Sequence, residues 1–278
     1  MNRLLGIKNR IHLDKDLKFE RSQKKNLNVV ITGGTRGLGK SMTNEFLKKG
    51  DKVFIVSRKQ SDIDMMVMDN DNLYGKAADI GNAEEFPELF DNILKAFDGE
   101  IDMFVNCAGQ SGGNKQFVDH DISNLDSIVK TNLLGTILCC KHAFEIMNSQ
   151  STGGAIFNFT GAGSNGFSTP NFSLYGATKS GILQLTKTLQ EELRQYPVDL
   201  HLVSPGMLFT DLLLENMNDD TYHAIKMLVT SPDLVAYHIV PRMRNTYYLA
   251  KEDNYIKFLT VMKIIYKIFS DMFNKKII

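Results

Sequence analysis

The sequence predicts an α/β fold, a doubly wound parallel sheet that is flanked by helices and built as a single domain. Short apolar runs alternate along the chain with longer segments whose apolar residues recur at helical spacing. A glycine-rich turn joins the first of these runs to the first helical segment. Strands that alternate with helices are typical of crossover units, which form a parallel sheet covered on both faces.

Each predicted strand is a short apolar run. The predicted strands are Asn28–Thr32, Val53–Val56, Met103–Val105, Ala155–Phe159, Leu200–Val203 and Tyr255–Leu259. The helices are predicted from apolar residues three or four positions apart. The first predicted helix contains Leu38, Met42 and Phe46 and ends at Gly50. The other predicted helices are Phe86–Phe97, Ile128–Met147, about Leu174 to Tyr196, and Ser231–Met243.

Composition narrows the class of protein. The chain has 278 residues, enough for one large α/β domain, and 43% of them are hydrophobic. Its 32 Lys and Arg balance 32 Asp and Glu, so the net charge is zero and a nucleic-acid partner is disfavoured. The three cysteines make no disulfide framework, which fits a reducing compartment. We find no secretory signal or membrane-spanning run, and we predict no metal site.

Charged segments flank the predicted domain, which we place at residues 28–260. Residues 1–27 are rich in Lys and Arg, and we expect a solvated basic lead-in. A transit peptide is disfavoured because such peptides are Ser-rich and poor in acids. Residues 261–278 carry apolar residues at helical spacing among lysines. They predict an amphipathic helix that packs on its own domain or on a second subunit, with contact to a membrane surface as the alternative.

The segment between the first strand and the first helix is a candidate phosphate-binding turn. Its glycines follow the spacing G-x-x-x-G-x-G, which allows a tight reversal and lets a pyrophosphate approach the backbone. The helix that follows offers unpaired N–H groups and the positive end of its dipole. The predicted cofactor-binding residues here are Thr32, Gly33, Thr35, Arg36, Gly37, Leu38 and Gly39.

The end of the second strand indicates which dinucleotide binds. An acidic residue there would hold the ribose hydroxyls of NADH, but the chain has Arg58, which suits the 2′-phosphate of NADPH. Arg36 suits the same phosphate, since guanidinium groups bind phosphate well. We therefore predict NADPH as the cofactor. NADH is the alternative if both arginines are only solvated surface charges.

Tyr175 and Lys179 form a candidate catalytic pair. They are four residues apart in a predicted helix, so they lie on the same face. A free phenol has a pKa of about 10, too high for easy proton exchange at neutral pH. A nearby ammonium group stabilises the phenolate and would lower that pKa. Tyr175 could then act as a general acid when a carbonyl accepts hydride.

The glycine turn and the Tyr-x-x-x-Lys pair together resemble those of short-chain dehydrogenases/reductases, from about Asn28 to Thr210. This resemblance implies a Rossmann-type fold and NAD(P)-dependent oxidoreductase activity. It implies that Asn132 holds a water of the proton relay and that Lys179 also holds the nicotinamide ribose. Further cofactor-binding residues implied by the match are Asn106, Ala108, Gly109, Asp79, Ile80, Pro205, Gly206 and Thr210. The stretch from Arg58 to Asp79 is short for the family, and we expect it to lack a full helix.

The catalytic serine departs from the family pattern. At the family's usual distance from the tyrosine, this chain has Ala162. We predict that Ser164 polarises the substrate carbonyl. This requires the loop to be shifted by one or two residues relative to the family pattern. Thr160 is the alternative.

Other segments resemble a subgroup, the chlorophyll(ide) b reductases. They are Gly161–Ser164, Ser168–Pro170, Tyr175–Lys179, Ser204–Met207 and Val240–Arg244, the last in a region expected to face the substrate. The resemblance implies a lipophilic carbonyl substrate, the formyl group of chlorophyll b or chlorophyllide b. The alternatives are another lipophilic carbonyl or alcohol, and a non-catalytic NAD(P)-binding regulator. By analogy we expect a homo-oligomer, in the cytoplasm or a plastid.

Specificity is expected to come from the region after Thr210. Apolar residues within 207–214 make a candidate lid, although core packing would explain them equally well. Gly112, Gly113 and Phe117 are expected to form the loop that faces it.

Overall fold

The protein is built around a seven-stranded parallel sheet. We describe it from a computed structural model that covers residues 14–68, 70–113, 115–166, 168–210, 229–250 and 255–258. The strands are β1 (Asn28–Thr32), β2 (Lys52–Ser57), β3 (Leu73–Ala77), β4 (Met103–Asn106), β5 (Gly154–Phe159), β6 (Val198–Ser204) and β9 (Tyr255–Lys257). Their order is β3-β2-β1-β4-β5-β6-β9, with every neighbouring pair parallel, which confirms the predicted doubly wound sheet. A separate two-stranded sheet pairs β7 (Met207–Leu208) with β8 (Val229–Thr230).

Helices cover both faces of the large sheet. Helix α1 includes residues 14–22, and the others are α2 (Gly37–Lys48), α3 (Gln60–Val67), α4 (Phe86–Ala96), α5 (Ile122–Val129), α6 (Gly135–Asn148), α7 (Ser173–Glu192) and α8 (Pro232–Leu249). Successive strand residues point to opposite faces, so Val29 and Ile31 enter a core with α2 and α8, whereas Val30 enters a core with α4 and α6. Both faces of the central strands are therefore buried, which explains their unbroken apolar runs.

The region between Arg58 and Asp79 holds more regular structure than its sequence predicts. It contains α3, a helix of eight residues, followed by β3 at the edge of the sheet. Only Leu73 of the five β3 residues is fully buried. A half-exposed edge strand needs no apolar run, so apolarity alone could not reveal it.

Helix α1 is packed into the fold, so the expectation of a solvated lead-in is wrong for its described part. Arg21 is fully buried at the amino-end edge of the sheet. Its guanidinium donates to the Asp199 carboxylate at 2.8 Å and to the carbonyls of Thr152 and Tyr247, both at 2.9 Å. It also lies 4.6 Å from the centroid of the Tyr247 ring. A buried cation is tolerated here because an anion and several carbonyls surround it. The domain boundaries placed after residues 27 and 260 stay predictions.

The segment Val240–Arg244 supports the fold and does not face the substrate as expected. The segment lies within α8, and its residues Val240 and Met243 are buried in the core between this helix and the sheet. Arg244 pairs with the buried carboxylate of Asp51, which precedes β2 at the amino-end edge of the sheet. Arg242 donates to the Lys257 carbonyl at 2.8 Å. Packing and these two arginine contacts therefore account for the motif. The helix predicted at residues 261–278 and the lid residues 211–214 lie outside the described residues.

Candidate active site

The predicted site residues converge on the carboxyl-end edge of the sheet. They lie at or just after the ends of β1 to β6, in the first two turns of α2 and α7, or, in the case of Asn132, between α5 and α6. The strand order reverses between β1 and β4, and in open α/β sheets ligands bind outside the strands at such a point. One crevice therefore contains both the glycine turn and the Tyr175 region.

The glycine turn is packed too closely for side chains. A Cβ on Gly33 would lie 2.9 Å from the Ala108 Cα, and one on Gly39 would lie 2.1 Å from the Gly33 carbonyl oxygen. The Ala108 N–H donates to the Thr32 hydroxyl at 3.1 Å, which fixes the turn against the end of β4. Helix α2 begins after Arg36 without a side-chain cap, so its first N–H groups are free to bind an anion. This cradle fits the pyrophosphate of a dinucleotide.

Two arginines flank the place where the adenosine end of a dinucleotide would lie. Arg36 and Arg58 are both exposed, and neither side chain bonds to another described residue. The Thr35 and Ser57 hydroxyls are 3.0 Å apart and tie the turn to the end of β2. Two uncommitted guanidinium groups beside the turn suit a phosphate on the ribose.

Two of the predicted cofactor-binding residues, Asp79 and Ile80, follow the end of β3. The Asp79 carboxylate is exposed and accepts the Gly81 N–H at 2.9 Å, while its own N–H donates to Glu85 at 2.9 Å. Ile80 is buried in the core shared with α4 and α6. The Asp79 turn is thus rigidly held at the same edge of the sheet as the glycine turn.

The end of β4 joins the cofactor side of the crevice to the catalytic side. Asn106 is buried and donates to the Asn158 side chain of β5 at 2.8 Å. Gly109 faces the interior of the site, since a Cβ there would lie 3.5 Å from the Asn132 Oδ1 and 3.9 Å from the Lys179 Nζ. Asn106 therefore supports the sheet, while Gly109 leaves space beside two candidate catalytic groups.

A π-helical turn presents Asn132 to the site. The helix predicted over Ile128–Met147 instead comprises α5, the π-helical turn Lys130–Leu134 and α6. The Asn132 side chain is fully buried and binds the backbone of Gln110 twice. It accepts the Gln110 N–H at 2.9 Å and donates to the Gln110 carbonyl at 2.8 Å. Such π-turns are often found at functional sites.

Tyr175 and Lys179 lie one turn apart on α7. The Lys179 Nζ is 5.7 Å from the centroid of the Tyr175 ring and donates to the Phe159 carbonyl at 3.1 Å. Burial lowers the pKa of Lys179 to about 8 and raises the pKa of Tyr175 to about 12. The expectation that Lys179 lowers the pKa of Tyr175 is therefore wrong, because loss of hydration dominates at the phenol.

The two candidates for the catalytic serine role differ in where their hydroxyls point. The buried Ser164 Oγ donates to the Gly161 carbonyl at 2.6 Å. Gly161 in turn lies against the phenol, since a Cβ on it would be 2.5 Å from the Tyr175 hydroxyl. The Thr160 hydroxyl instead donates to the Val203 carbonyl at 3.2 Å. Ser164 is thus linked through Gly161 to the phenol, whereas Thr160 is bound to the neighbouring strand.

The segment after β6 closes over the glycine turn. A Cβ on Gly37 would meet the Thr210 side chain at 3.4 Å, so these two residues lie against each other. Gly206, which follows Pro205, has φ of 79°, a left-handed conformation that favours glycine. The Leu38 side chain points away from the turn into the core.

Cys107 is a site residue that sequence reasoning missed. Burial raises the pKa of its thiol to about 12, while the charge of Lys179 opposes that rise. The thiol also contributes to the raised pKa of Tyr175. Its place in the segment Asn106-Cys107-Ala108-Gly109 could have indicated this, because its neighbours were all assigned to the site.

A cleft of about 590 Å³ opens at the start of α7. Phe117, Pro170 and Phe172 line it together with glycines and small polar residues. The Phe172 ring centroid is 6.0 Å from that of Tyr175, with the two rings edge to face. Of the loop predicted around Gly112, Gly113 and Phe117, it is Phe117 that lines this cleft.

Within the described ranges, no group of three or more His, Cys, Asp or Glu is placed to hold a metal ion. Among the helices described, none combines the length and apolarity needed to cross a bilayer.

Comparisons with known proteins identify the family. Residues 27–221 match the family model of the short chain dehydrogenases. The chain is 36% identical over 250 residues to the probable chlorophyll(ide) b reductase NYC1, chloroplastic, of Arabidopsis thaliana, covering 82% of this chain but only 50% of that protein. It is 37% identical over 254 residues to the chlorophyll(ide) b reductase NOL, chloroplastic, of the same plant, covering 87% and 73%. This chain therefore spans about half the length of the first relative.

The fold has solved counterparts as well. The 3-ketoacyl-(acyl-carrier-protein) reductase from Brucella melitensis, whose structure contains NADH, superposes with a TM-score of 0.74 at 25% identity. The match covers 83% of this chain and 95% of that one. The architecture is thus shared with an enzyme whose solved structure contains NADH.

Proposed function

The chain belongs to the short-chain dehydrogenase/reductase family of NAD(P)-dependent oxidoreductases, and from this premise we propose that it is an NADPH-dependent carbonyl reductase. Its substrate, in this proposal, is the 7-formyl group of chlorophyll b or chlorophyllide b, which it reduces to hydroxymethyl. The observation that carries the proposal is the placement of Tyr175, Lys179 and Asn132 at the strand edge that also holds the glycine turn.

The proposed reaction transfers one hydride and one proton. Bound NADPH supplies the hydride, which forms the new C–H bond at the carbonyl carbon. Ser164 turns its hydroxyl from the Gly161 carbonyl to the substrate oxygen, where negative charge develops. Tyr175 gives its phenolic proton to that oxygen, so the product is a neutral alcohol. Lys179 and Asn132 then help to return a proton to the phenol.

Two exposed arginines support NADPH over NADH. Arg36 and Arg58 are free to bind a 2′-phosphate, and an acidic residue for ribose hydroxyls is absent at the end of β2, where Ser57, Arg58 and Lys59 follow one another. The cofactor preference is a proposal that rests on these side chains.

The named relatives support the pigment as substrate. Two chlorophyll(ide) b reductases match more than four fifths of this chain at 36–37% identity. Another lipophilic carbonyl remains the alternative, because family members share the reaction and differ in substrate. We also propose a homo-oligomer, located in the cytoplasm or a plastid, with contact to a membrane surface as the alternative role of residues 261–278.

The first experiment compares wild-type protein with Tyr175→Phe. We expect NADPH oxidation with chlorophyllide b to give the 7-hydroxymethyl product, and Tyr175→Phe to lower kcat by about 10²- to 10⁴-fold. Tyr74→Phe, on the edge strand β3, is the matched control and should retain wild-type activity. NADH and a panel of simple aldehydes and ketones are measured alongside.

Each result separates the proposals. If the protein reduces other carbonyls but not chlorophyllide b, the proposed carbonyl reduction is supported and the proposed pigment substrate is wrong. Cofactor binding without any turnover would favour a non-catalytic NAD(P)-binding regulator. If Tyr175→Phe is as active as wild type, the assignment of Tyr175 as the proton donor is wrong.

A further inference from the structure

The cleft at the start of α7 is built like a binding site for a flat, apolar group. Its volume of about 590 Å³ lies in the range usual for small-molecule sites, roughly 300–1,000 Å³. Two phenyl rings and a proline line it, those of Phe117, Phe172 and Pro170. Three glycines also line it, so part of its wall is bare backbone against which a flat ring can lie.

One wall of the cleft is fixed to the helix that carries the proposed proton donor. Gly163 packs on Gly176 of α7, since a Cβ on Gly163 would lie 2.6 Å from the Gly176 Cα. The Ser180 hydroxyl donates to the Gly163 carbonyl at 2.9 Å. Phe172 ends this loop and meets the Tyr175 ring edge to face at 6.0 Å. A group in the cleft is therefore one aromatic ring away from the phenol.

The other wall exposes an aromatic side chain. Phe117 begins the short 3-10 helix Phe117–Asp119 and is 59% exposed, although it lines the cleft. Covering a large exposed apolar side chain with a ligand stabilises the complex, because apolar surface is removed from water. The neighbouring Val118 is 81% exposed and is not among the residues that line the cleft.

We propose that this cleft holds the apolar ring system of the substrate while its carbonyl lies at Tyr175, with Phe117 as a specificity-determining residue. This inference rests on the proposed carbonyl reduction and adds the position of the part of the substrate that does not react. A small aldehyde reaches only Tyr175 and gains nothing from the cleft. A large flat substrate occupies both places, and binding energy from its remote part orients the carbonyl.

Two variants test the cleft from opposite directions. Phe117→Ala removes the exposed ring, and Thr169→Trp fills the cleft from the opposite loop, where Thr169 is exposed. For both, we expect the ratio of kcat/KM for chlorophyllide b to kcat/KM for benzaldehyde to fall at least about tenfold. Val118→Ala is the matched control, and its ratio should equal that of wild type.

Binding gives a readout that does not need turnover. The Kd of chlorophyllide b, followed by its fluorescence, should rise at least about tenfold in both cleft variants. If the wild type binds or reduces no chlorophyllide b but the ratio still falls for a large polycyclic ketone, the pigment is wrong and the cleft proposal stands. Unchanged ratios and an unchanged Kd in Phe117→Ala and Thr169→Trp would overturn the cleft proposal, whatever the wild type reduces.

Discussion

Lys179 is buried where an ammonium group is costly to hold. Its hydrogen bond goes to a neutral acceptor, the Phe159 carbonyl, and burial lowers its pKa to about 8 from an ordinary value of 10.5. The folded protein therefore releases this proton at lower pH than the unfolded chain does. Below pH 8 Lys179 is protonated in both the folded and the unfolded protein, and the folded protein bears the full cost of burying the charged ammonium group.

Lys179→Met should stabilise the protein and abolish the proposed activity. Removing the buried charge should raise the free energy of unfolding at pH 7 by up to about 3 kcal/mol, given 1.36 kcal/mol per pKa unit. The advantage over wild type should shrink as pH rises from 8 to 10.5, because the folded wild type then loses its charge. Urea unfolding at pH 7, 9 and 10 measures this.

Lys187→Met is the matched control, since Lys187 is exposed on the same helix. It should change neither the stability nor its pH dependence by more than about 0.5 kcal/mol. A Lys179→Met variant less stable than wild type at pH 7 would show that the Phe159 contact outweighs the desolvation.

The π-helical turn Lys130–Leu134 decides where Asn132 points. The apolar residues of this turn continue the ordinary helical spacing of the flanking segments, so the sequence predicted one continuous helix. Nothing in the periodicity marks the extra residue of a π-turn, because that insertion is stabilised by contacts made elsewhere. Here the contacts are the two hydrogen bonds between Asn132 and the Gln110 backbone.

Asn132→Ala should lower both activity and stability. The Gln110 N–H and carbonyl, which are partly buried, would lose their partners, at a cost of about 1 kcal/mol for each hydrogen bond. If Asn132 also serves the proton relay, kcat should fall by about 10²-fold or more. Steady-state kinetics and urea unfolding separate the two effects, with Asn92→Ala on the exposed face of α4 as the control.

A stability loss with kcat within twofold of wild type would assign Asn132 a structural role alone. Asn132→Asp refines the answer, because an aspartate can still accept the Gln110 N–H but cannot donate to its carbonyl while ionised.

Burial decides which elements the sequence could predict. Strand β1 was predicted with its observed bounds because Val29, Val30 and Ile31 are buried on both faces. Strand β3, half exposed at the edge, left no apolar run. In the site, the proximity of Tyr175 and Lys179 could be predicted because they are four residues apart in one helix. Phe117 was expected in a loop that faces the substrate, and the neighbours of Cys107 were assigned to the site. The position of these two residues relative to Tyr175 could not be predicted, because it depends on contacts between segments that are distant in sequence.

Arg21 connects the first described helix, α1, to strands and a helix that are distant in sequence. It binds Asp199 and Tyr247, which are 178 and 226 residues away in sequence. The Tyr247 hydroxyl extends the cluster by donating to the buried Asp102 at 2.7 Å, and Lys24 binds the same carboxylate at 2.6 Å. The cluster joins α1, α8 and the starts of several strands on the side opposite the candidate site.

Arg21→Met should destabilise the protein without touching the proposed chemistry. It breaks the buried ion pair between Arg21 and Asp199, a change that typically costs about 3–5 kcal/mol. We expect the urea midpoint to fall accordingly, with KM for NADPH unchanged under conditions where the variant is folded. Lys18→Met, exposed on the same helix, is the control. A midpoint equal to wild type would show that α1 contributes little to the fold.

The Arg21 cluster also has a consequence for the order in which the chain becomes native. Its two most distant partners, Asp199 and Tyr247, emerge from the ribosome long after Arg21 has been made. The first described helix of the chain therefore has no complete docking site until residue 247 is available. Its charged guanidinium group must stay hydrated through most of synthesis, and the burial of the earliest segment belongs to the last steps of folding.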